Sequence, residues 1–250
     1  MMKRVSTTIL ILLMLTALAA LAGCGKQQTT GGDAKLRMIG NENMAFLEIV
    51  DGSPTGFSAD LAAEIADRLG RTLEVKIELF GELFTRLDDG ECDIAMSAIT
   101  ITPERRTEVD FSDPYFSSGQ ALLVPIDSTI AGESDLEGKT VGVLKDSVNQ
   151  QKAEGIAGIK LILPFDVKQP MFDALVAGAL DAVIVDTPFA EYTAKETGKT
   201  RIAKVLTEGD EYGIAVKKGN AELVAKINEA LAGIKQDGTY DRLYEKYFGK

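Results

Sequence analysis

Hydrophobic and polar positions along this chain switch between two periods. The run "KLRMIG" (35–40) predicts a strand, and in "ADLAAEIADRLG" (59–70) Leu61, Ile65 and Leu69 fall at helical spacing, with Ser58 as the cap and Gly70 as the stop. "LEVKIEL" (73–79) alternates as a strand. The pattern goes on to predict a helix over 81–89, strands over 92–96, 120–125 and 140–144, a helix over 147–154, a strand over 159–163, a helix over 169–177, a strand over 181–185 and a helix over 187–197. Two helices close the chain. Leu223, Ile227, Leu231 and Ile234 stripe the first behind an Asn220 cap, and Tyr240, Leu243, Tyr244, Tyr247 and Phe248 stripe the second. Stripes of this kind are core packing. Strands alternating with helices place the chain in the α/β class.

The first residues follow a different pattern. Lys3 and Arg4 precede an almost unbroken apolar run over 9–22, closed by "LAGC" (21–24). The run is shorter than the ~20 residues of a spanning helix and has the length of an export signal. Ala22 and Gly23 before Cys24 resemble the bacterial lipobox, so residues 1–23 are expected to be a lipoprotein signal peptide. Cys24 then becomes the lipidated first residue, carrying acyl chains such as palmitate, and two or more chains suffice for a stable anchor. Residues 24–34 are rich in Gly, Gln and Thr and read as a flexible tether to the membrane.

Composition narrows the chemistry. Hydrophobic residues make up 45%, ample for a core, and the net charge of −11 becomes −13 once Lys3 and Arg4 leave with the signal. That balance argues against nucleic acid or an anionic lipid surface as partner. The sequence has no histidine, which removes His-based triads and nearly all catalytic zinc sites. With Cys24 lipidated, Cys92 has no disulfide partner and no histidine to activate it. No GxxxxGK loop occurs. No metal and no organic cofactor is implied.

Two segments echo each other: "FTRLDDGECD" (84–93) and "FDALVAGALD" (172–181) share F-x-x-L-x-x-G-x-x-D. Two common helix-to-strand turns could match by chance; the alternative is two lobes of similar design. Ligands of open α/β sheets collect beyond the carboxyl ends of the strands. Those ends carry "SAITITPERR" (97–106) in one half and "VDTP" (185–188) in the other. Facing lobes would aim Ser97, Thr100 and Arg105 at Asp186 across a cleft, an arrangement suited to a zwitterion.

From about residue 36 onward the chain resembles the extracytoplasmic solute-binding proteins of amino-acid ABC transporters (bacterial solute-binding protein family 3). The marks are "GFSADLAAEIADRLG" (56–70), "LFTRLDDGECDIAMSAITITPERRTEVDFSDPYF" (83–116), "LEGKTVGVLKDS" (136–147), "VDTP" and "QDGTYDRLYEKYF" (236–248), in that order. The resemblance implies a two-lobed, periplasmic-binding-protein-like fold of type II. Residues 35–117 and 214–250 would form lobe 1, an inserted 118–213 lobe 2, and crossings near 117–120 and 210–214 the hinge.

It also implies roles. Arg105 would bind the α-carboxylate of an L-α-amino acid, helped by Thr100 and by backbone amides there and at Ser147 and Val148. A guanidinium suits a carboxylate because two parallel hydrogen bonds form at once. Arg106 would be solvated. Asp186 and the Ala98 carbonyl would hold the α-ammonium, Phe80 would stack on the side chain, and Glu42 stands where an acid commonly sits.

The sequence departs from the family pattern in places. "GNENMAFLE" (40–48) lacks a usual Tyr, replaced by Met44 or Phe46; in "KDSVNQ" (145–150) Asp146 replaces a Gly and Val148 a Thr or Ser. Glu42 and Asp146 either favour a cationic side chain or are solvated loop acids, and the ligand expected is an L-α-amino acid with a polar or cationic side chain such as arginine, lysine or glutamine. The expected partners are the amino acid, a permease and, through Cys24, the membrane; a monomer is expected. Two other readings stay open: a prephenate or arogenate dehydratase on the same fold, with Glu42 or Asp146 as general acid, and a ligand-sensing lipoprotein.

Overall fold

The computed structural model describes residues 34–249, so the signal peptide, Cys24 and most of the tether lie outside the described residues. The chain opens with β1 (Lys35–Gly40), a hairpin of β2 (Glu48–Val50) and β3 (Ser53–Thr55), then α1 (Phe57–Arg68), β4 (Thr72–Ile77), α2 (Leu83–Asp88), β5 (Ile94–Ala95), α3 (Arg105–Glu108) and β6 (Val109–Phe111). It continues through β7 (Phe116–Ser118), β8 (Gln120–Pro125), β9 (Thr140–Leu144), α4 (Val148–Glu154), β10 (Leu161–Phe165), α5 (Lys168–Val176), β11 (Ala182–Asp186), α6 (Thr187–Thr197) and β12 (Thr200–Val205). β13 (Asp210–Tyr212), β14 (Ala215–Lys217), α7 (Ala221–Gln236) and α8 (Thr239–Phe248) complete it.

Two five-stranded sheets result, ordered β4-β1-β5-β14-β6 and β10-β9-β11-β8-β12. Each has a parallel trio followed by two antiparallel strands. The α/β class and the two lobes therefore match the expectation. Between the sheets run the strands β7 and β13, paired antiparallel with Phe116 opposite Tyr212 and Ser118 opposite Asp210. After crossing, each strand supplies the fourth strand of the sheet it enters: β8 in one lobe, β14 in the other. Gly119, at the first crossing, leaves no room for a Cβ, which would collide with the Thr207 carbonyl oxygen.

The echoed motif turns out to be structural. Gly90 and Gly178 end α2 and α5 with φ of 74° and 77°, where glycine carries no steric cost. Asp93 then accepts a hydrogen bond from the Arg37 N–H (2.8 Å) and donates its own N–H to the Arg37 carbonyl (2.9 Å). Asp181 makes the same pair with Thr140, at 2.8 and 2.9 Å. Each aspartate thus ties the turn after a helix to the neighbouring parallel strand.

Apolar residues alternate across each sheet and fill a cluster on either face. In lobe 1, Leu36, Met38 and Ile94 pack with α1 and α7, while Ile39, Ala95, Leu83 and Leu87 fill the other side. In lobe 2, Val183 and Val185 pack with Leu175 and Phe189, and Ile184 with Val141 and Val143.

Two local expectations shift. Ser58 lies inside α1 and does not cap it; Gly56, at φ 110°, precedes the helix, and the Ser58 hydroxyl lies 3.4 Å from that of Tyr115. The strand expected over 159–163 runs from Leu161 to Phe165 at a sheet edge, where Pro164 is tolerated because a proline has no N–H to give a neighbour.

Candidate functional site

In lobe 1 the site begins where β5 ends. Gly40 at the end of β1 lets the chain press against Met96 and Ser97, since a Cβ there would meet the Met96 carbonyl at 2.7 Å. The Ser97 hydroxyl donates to the Asn41 carbonyl. Ala98 is held at φ 53°, a strained conformation for a non-glycine residue of the kind that clusters at functional sites. Its N–H donates to the Tyr115 hydroxyl at 3.1 Å. Burial holds that phenol well above its ordinary pKa. The loop is also bonded to the second crossing: the Ile101 N–H donates to the Glu211 carbonyl (2.8 Å), the Gly213 N–H to the Ile99 carbonyl (3.0 Å), and Thr100 bridges Tyr212.

Arg105 opens α3 and is buried, with 9% of its surface exposed. Its Nη1 donates to the Thr100 carbonyl at 2.9 Å, and its Nη2 reaches the Asp146 carbonyl of the other lobe at 3.5 Å. The guanidinium lies 5.2 Å from the Phe80 ring centre and 5.8 Å from that of Phe84. Among the described residues no carboxylate forms an ion pair with it. Burial pushes its pKa down to about 10, against the opposing pull of Asp186. Arg106 beside it is exposed, its guanidinium 5.9 Å from the Phe111 ring centre.

In lobe 2 the site also lies at strand ends. Asp186 ends β11 at the start of α6, but its carboxylate makes no capping bond to that helix. One oxygen accepts from Asn149 Nδ2 (3.0 Å), the other from Lys168 Nζ (3.1 Å). Ser147 caps α4, accepting from the Gln150 N–H at 3.3 Å and donating to the Leu144 carbonyl at 2.6 Å. Asp146 is held at φ 58°, and its carboxylate turns to Gly81, so it lines a separate hollow beyond Phe80.

Of the residues singled out by sequence, Phe80, Ser97, Ala98, Thr100 and Arg105 of lobe 1 and Ser147, Val148 and Asp186 of lobe 2 line one cavity between the lobes. Glu42 does not line it. With Met44, Glu48 and Phe189, Glu42 lines a neighbouring cavity of about 140 Å³, where burial and then the Glu42 charge hold Glu48 above the ordinary carboxylate range. Met44 faces this cavity, whereas Phe46 is core, its ring centre 5.1 Å from that of Phe116. The central cavity measures about 10 Å³, about the room one water needs and far too little for an amino acid, so the lobes are closed on each other.

Sequence reasoning missed Asn41, Asn43, Leu144, Asn149 and Lys168, which complete the lining. Each lies within a few residues of the carboxyl end of a strand, which was the available signal. Among the described residues the Oδ1 atoms of Asn41, Asn43 and Asn149 have no hydrogen-bond partner. No described helix is long and apolar enough to cross a membrane, and no described cluster of three His, Cys, Asp or Glu could hold a metal ion.

Residues 36–250 match the family model of bacterial extracellular solute-binding proteins, family 3. The chain is 33% identical over 248 residues to a probable histidine-binding protein of Neisseria gonorrhoeae, covering 92% of this chain and 91% of that one. It is 33% identical over 263 residues to the ABC transporter glutamine-binding protein GlnH of Bacillus subtilis (strain 168), covering 95% of each. Among solved structures, an ancestral arginine-binding protein bound to arginine aligns with a TM-score of 0.82 at 39% identity, over 86% of this chain and 98% of that one. The described fold and these matches agree: the chain belongs to the family 3 bacterial extracellular solute-binding proteins.

Proposed function

We propose that this chain binds an L-α-amino acid between its lobes and delivers it to the permease of an ABC transporter. The observation that carries the reading is Arg105, a buried guanidinium with no ion-pair partner among the described residues, facing a lobe that presents Asp186. A desolvated charge is costly until it is paired. A ligand α-carboxylate would supply the pair in planar, two-bonded geometry. Asp186, with the free Oδ1 of Asn149 beside it, would take the α-ammonium. Relatives named for histidine, glutamine and arginine support an amino acid as the class.

The closed cavity cannot admit a ligand, so binding begins with the lobes apart and ends by their closure about β7 and β13. The ligand shifts that balance only through its greater affinity for the closed form. A permease that recognises the closed surface would thereby distinguish loaded from empty protein. The two acids considered as general acid for a dehydratase, Glu42 and Asp146, both lie off the central cavity, which favours binding over catalysis. Lipidation at Cys24 would keep the exported protein at the membrane.

A thermal-shift screen of the common amino acids tests the reading. A ligand at ~100 times its Kd stabilises by about 2.7 kcal/mol, enough to raise the melting temperature by several degrees. Silence across the panel, with turnover of prephenate, would replace binding by dehydration. Uptake of labelled fatty acid, lost in Cys24→Ser, is the expected result for the anchor; no uptake by the natural chain would remove it.

A further inference from the structure

Among the described residues lining the cleft, Lys168 is the one charged side chain that the amino-acid grip leaves unused. It opens α5 just past the carboxyl end of β10, and its side chain is only 6% exposed. Its Nζ lies 3.1 Å from Asp186 Oδ2 and 5.3 Å from the centre of the Phe189 ring. A buried ammonium is costly unless paired, and this one has only a share of Asp186, whose other oxygen is taken by Asn149.

The charges lining the central cavity are therefore Arg105 and Lys168 against Asp186, one positive charge in excess. A ligand of zero net charge leaves that excess in place, a cationic ligand enlarges it, and a ligand with one net negative charge cancels it. If Arg105 takes the α-carboxylate and Asp186 the α-ammonium, Lys168 is left for an oxygen at the end of the side chain. Glu42 and Glu48 would attract a cation, but they face the neighbouring cavity. Lys168 lines both cavities, so a cationic side chain running from one to the other would pass its ammonium.

We propose that Lys168 is a specificity-determining residue that recognises a side-chain carboxylate, making the ligand of this cleft an acidic amino acid. The inference rests on the amino-acid reading of the cleft and names the class within it. Where glutamine is accepted, its carbonyl oxygen takes the same place as a neutral acceptor, with a weaker bond.

The test is calorimetric titration of the purified chain with L-glutamate, L-aspartate, L-glutamine, L-arginine and L-lysine. An acidic ligand is expected to bind at least about tenfold more tightly than arginine or lysine, a difference of about 1.4 kcal/mol. Lys168→Met should weaken the acidic ligand by about tenfold or more and glutamine by less, while Lys168→Arg, which keeps the charge, retains most of the affinity. Melting curves identify a variant that fails to fold, and in that case the natural chain's ranking of ligands decides. Tighter binding of arginine or lysine, or an unchanged acidic ligand in folded Lys168→Met, overturns the proposal and leaves the amino-acid reading standing. Binding of no amino acid at all overturns both.

Discussion

The two lobes share one scaffold and differ in the chemistry at its edge. Both sheets place a parallel trio beside two antiparallel strands, and both use an aspartate after a helix to bind a backbone amide of the adjacent strand. At the strand ends the likeness stops. Lobe 1 presents Arg105, a cation held only by a carbonyl, a long contact to the other lobe and two rings. Lobe 2 presents Asp186 already joined to Lys168 and Asn149. One lobe therefore carries a buried charge without its counter-charge, and the other a charge largely neutralised from within. A ligand carboxylate gains most from the first lobe, and its ammonium has to share Asp186 in the second.

The strongest way to break that contrast is to remove the uncompensated charge. Arg105→Ala should cost binding roughly 2–5 kcal/mol, about 30- to 4000-fold in affinity, because it strips the partner from a buried ligand carboxylate. The unliganded protein should be no less stable, since a desolvation cost goes with the charge. Arg106→Ala, on the exposed side chain, should bind as the natural chain does. Calorimetric titration and melting curves read all three. Equal affinities for Arg105→Ala and the natural protein would show that lobe 1 does not hold the carboxylate.

How much of this was legible in the sequence follows from where each signal lay. Arg105 stood out because its loop follows the carboxyl end of a strand, where ligands of open α/β sheets collect, and a resemblance gave it a role. Lys168 did not, because a lysine in the first turn of an amphipathic helix reads as solvated. Its burial arises only when the sheet sets the ends of β10 and β11 on either side of β9, beside Asn149. Glu42 and Asp146 read as candidate specificity acids from their positions in the loops. Asp146 is turned aside by its left-handed backbone, which the glycine usual at this position in the family pattern would adopt without cost. The sheet order was not written in the periodicity either, since the fourth strand of each sheet arrives from the far crossing. The echoed motif was legible but ambiguous until Asp93 and Asp181 were seen making the same two bonds.

A second test asks whether the scaffolds are independent as well as alike. Leu87 and Leu175 occupy matching positions in the echo, and both are fully buried. Each truncation to alanine should cost about 2–5 kcal/mol through lost burial and the cavity left behind. The leucines belong to separate clusters, so the loss should stay in its own lobe. Hydrogen exchange should speed in lobe 1 for Leu87→Ala and in lobe 2 for Leu175→Ala. Uniform loss of protection across both lobes from either change would mean that the molecule unfolds as one unit.

The smallest expected effect sharpens the comparison at the aspartates themselves. Asp93 is paired with Arg37 at 2.8 Å, whereas Asp181 has Lys139 at 3.7 Å. Partial burial alone would raise the Asp93 pKa, but hydrogen bonds from the Arg37 side chain and backbone, with its charge, outweigh it and leave the group below its ordinary value. A carboxylate whose folded pKa is depressed contributes its stability in full above the unfolded value. The contribution is lost as pH falls through the folded one. Asn at position 93 keeps an acceptor for the Arg37 amide and loses the charge and the oxygen that accepts from Arg37 Nη2, so Asp93→Asn should cost about 1 kcal/mol near neutrality, given the solvent exposure of the pair. Urea melts from about pH 7 down to about pH 2 should show that deficit shrinking as the natural chain's own Asp93 protonates. Asp181→Asn should start from a smaller deficit, its cation being farther away. No deficit at position 93 at any pH would assign the role of this aspartate to its backbone bonds alone, and the two lobes would then be alike here as well.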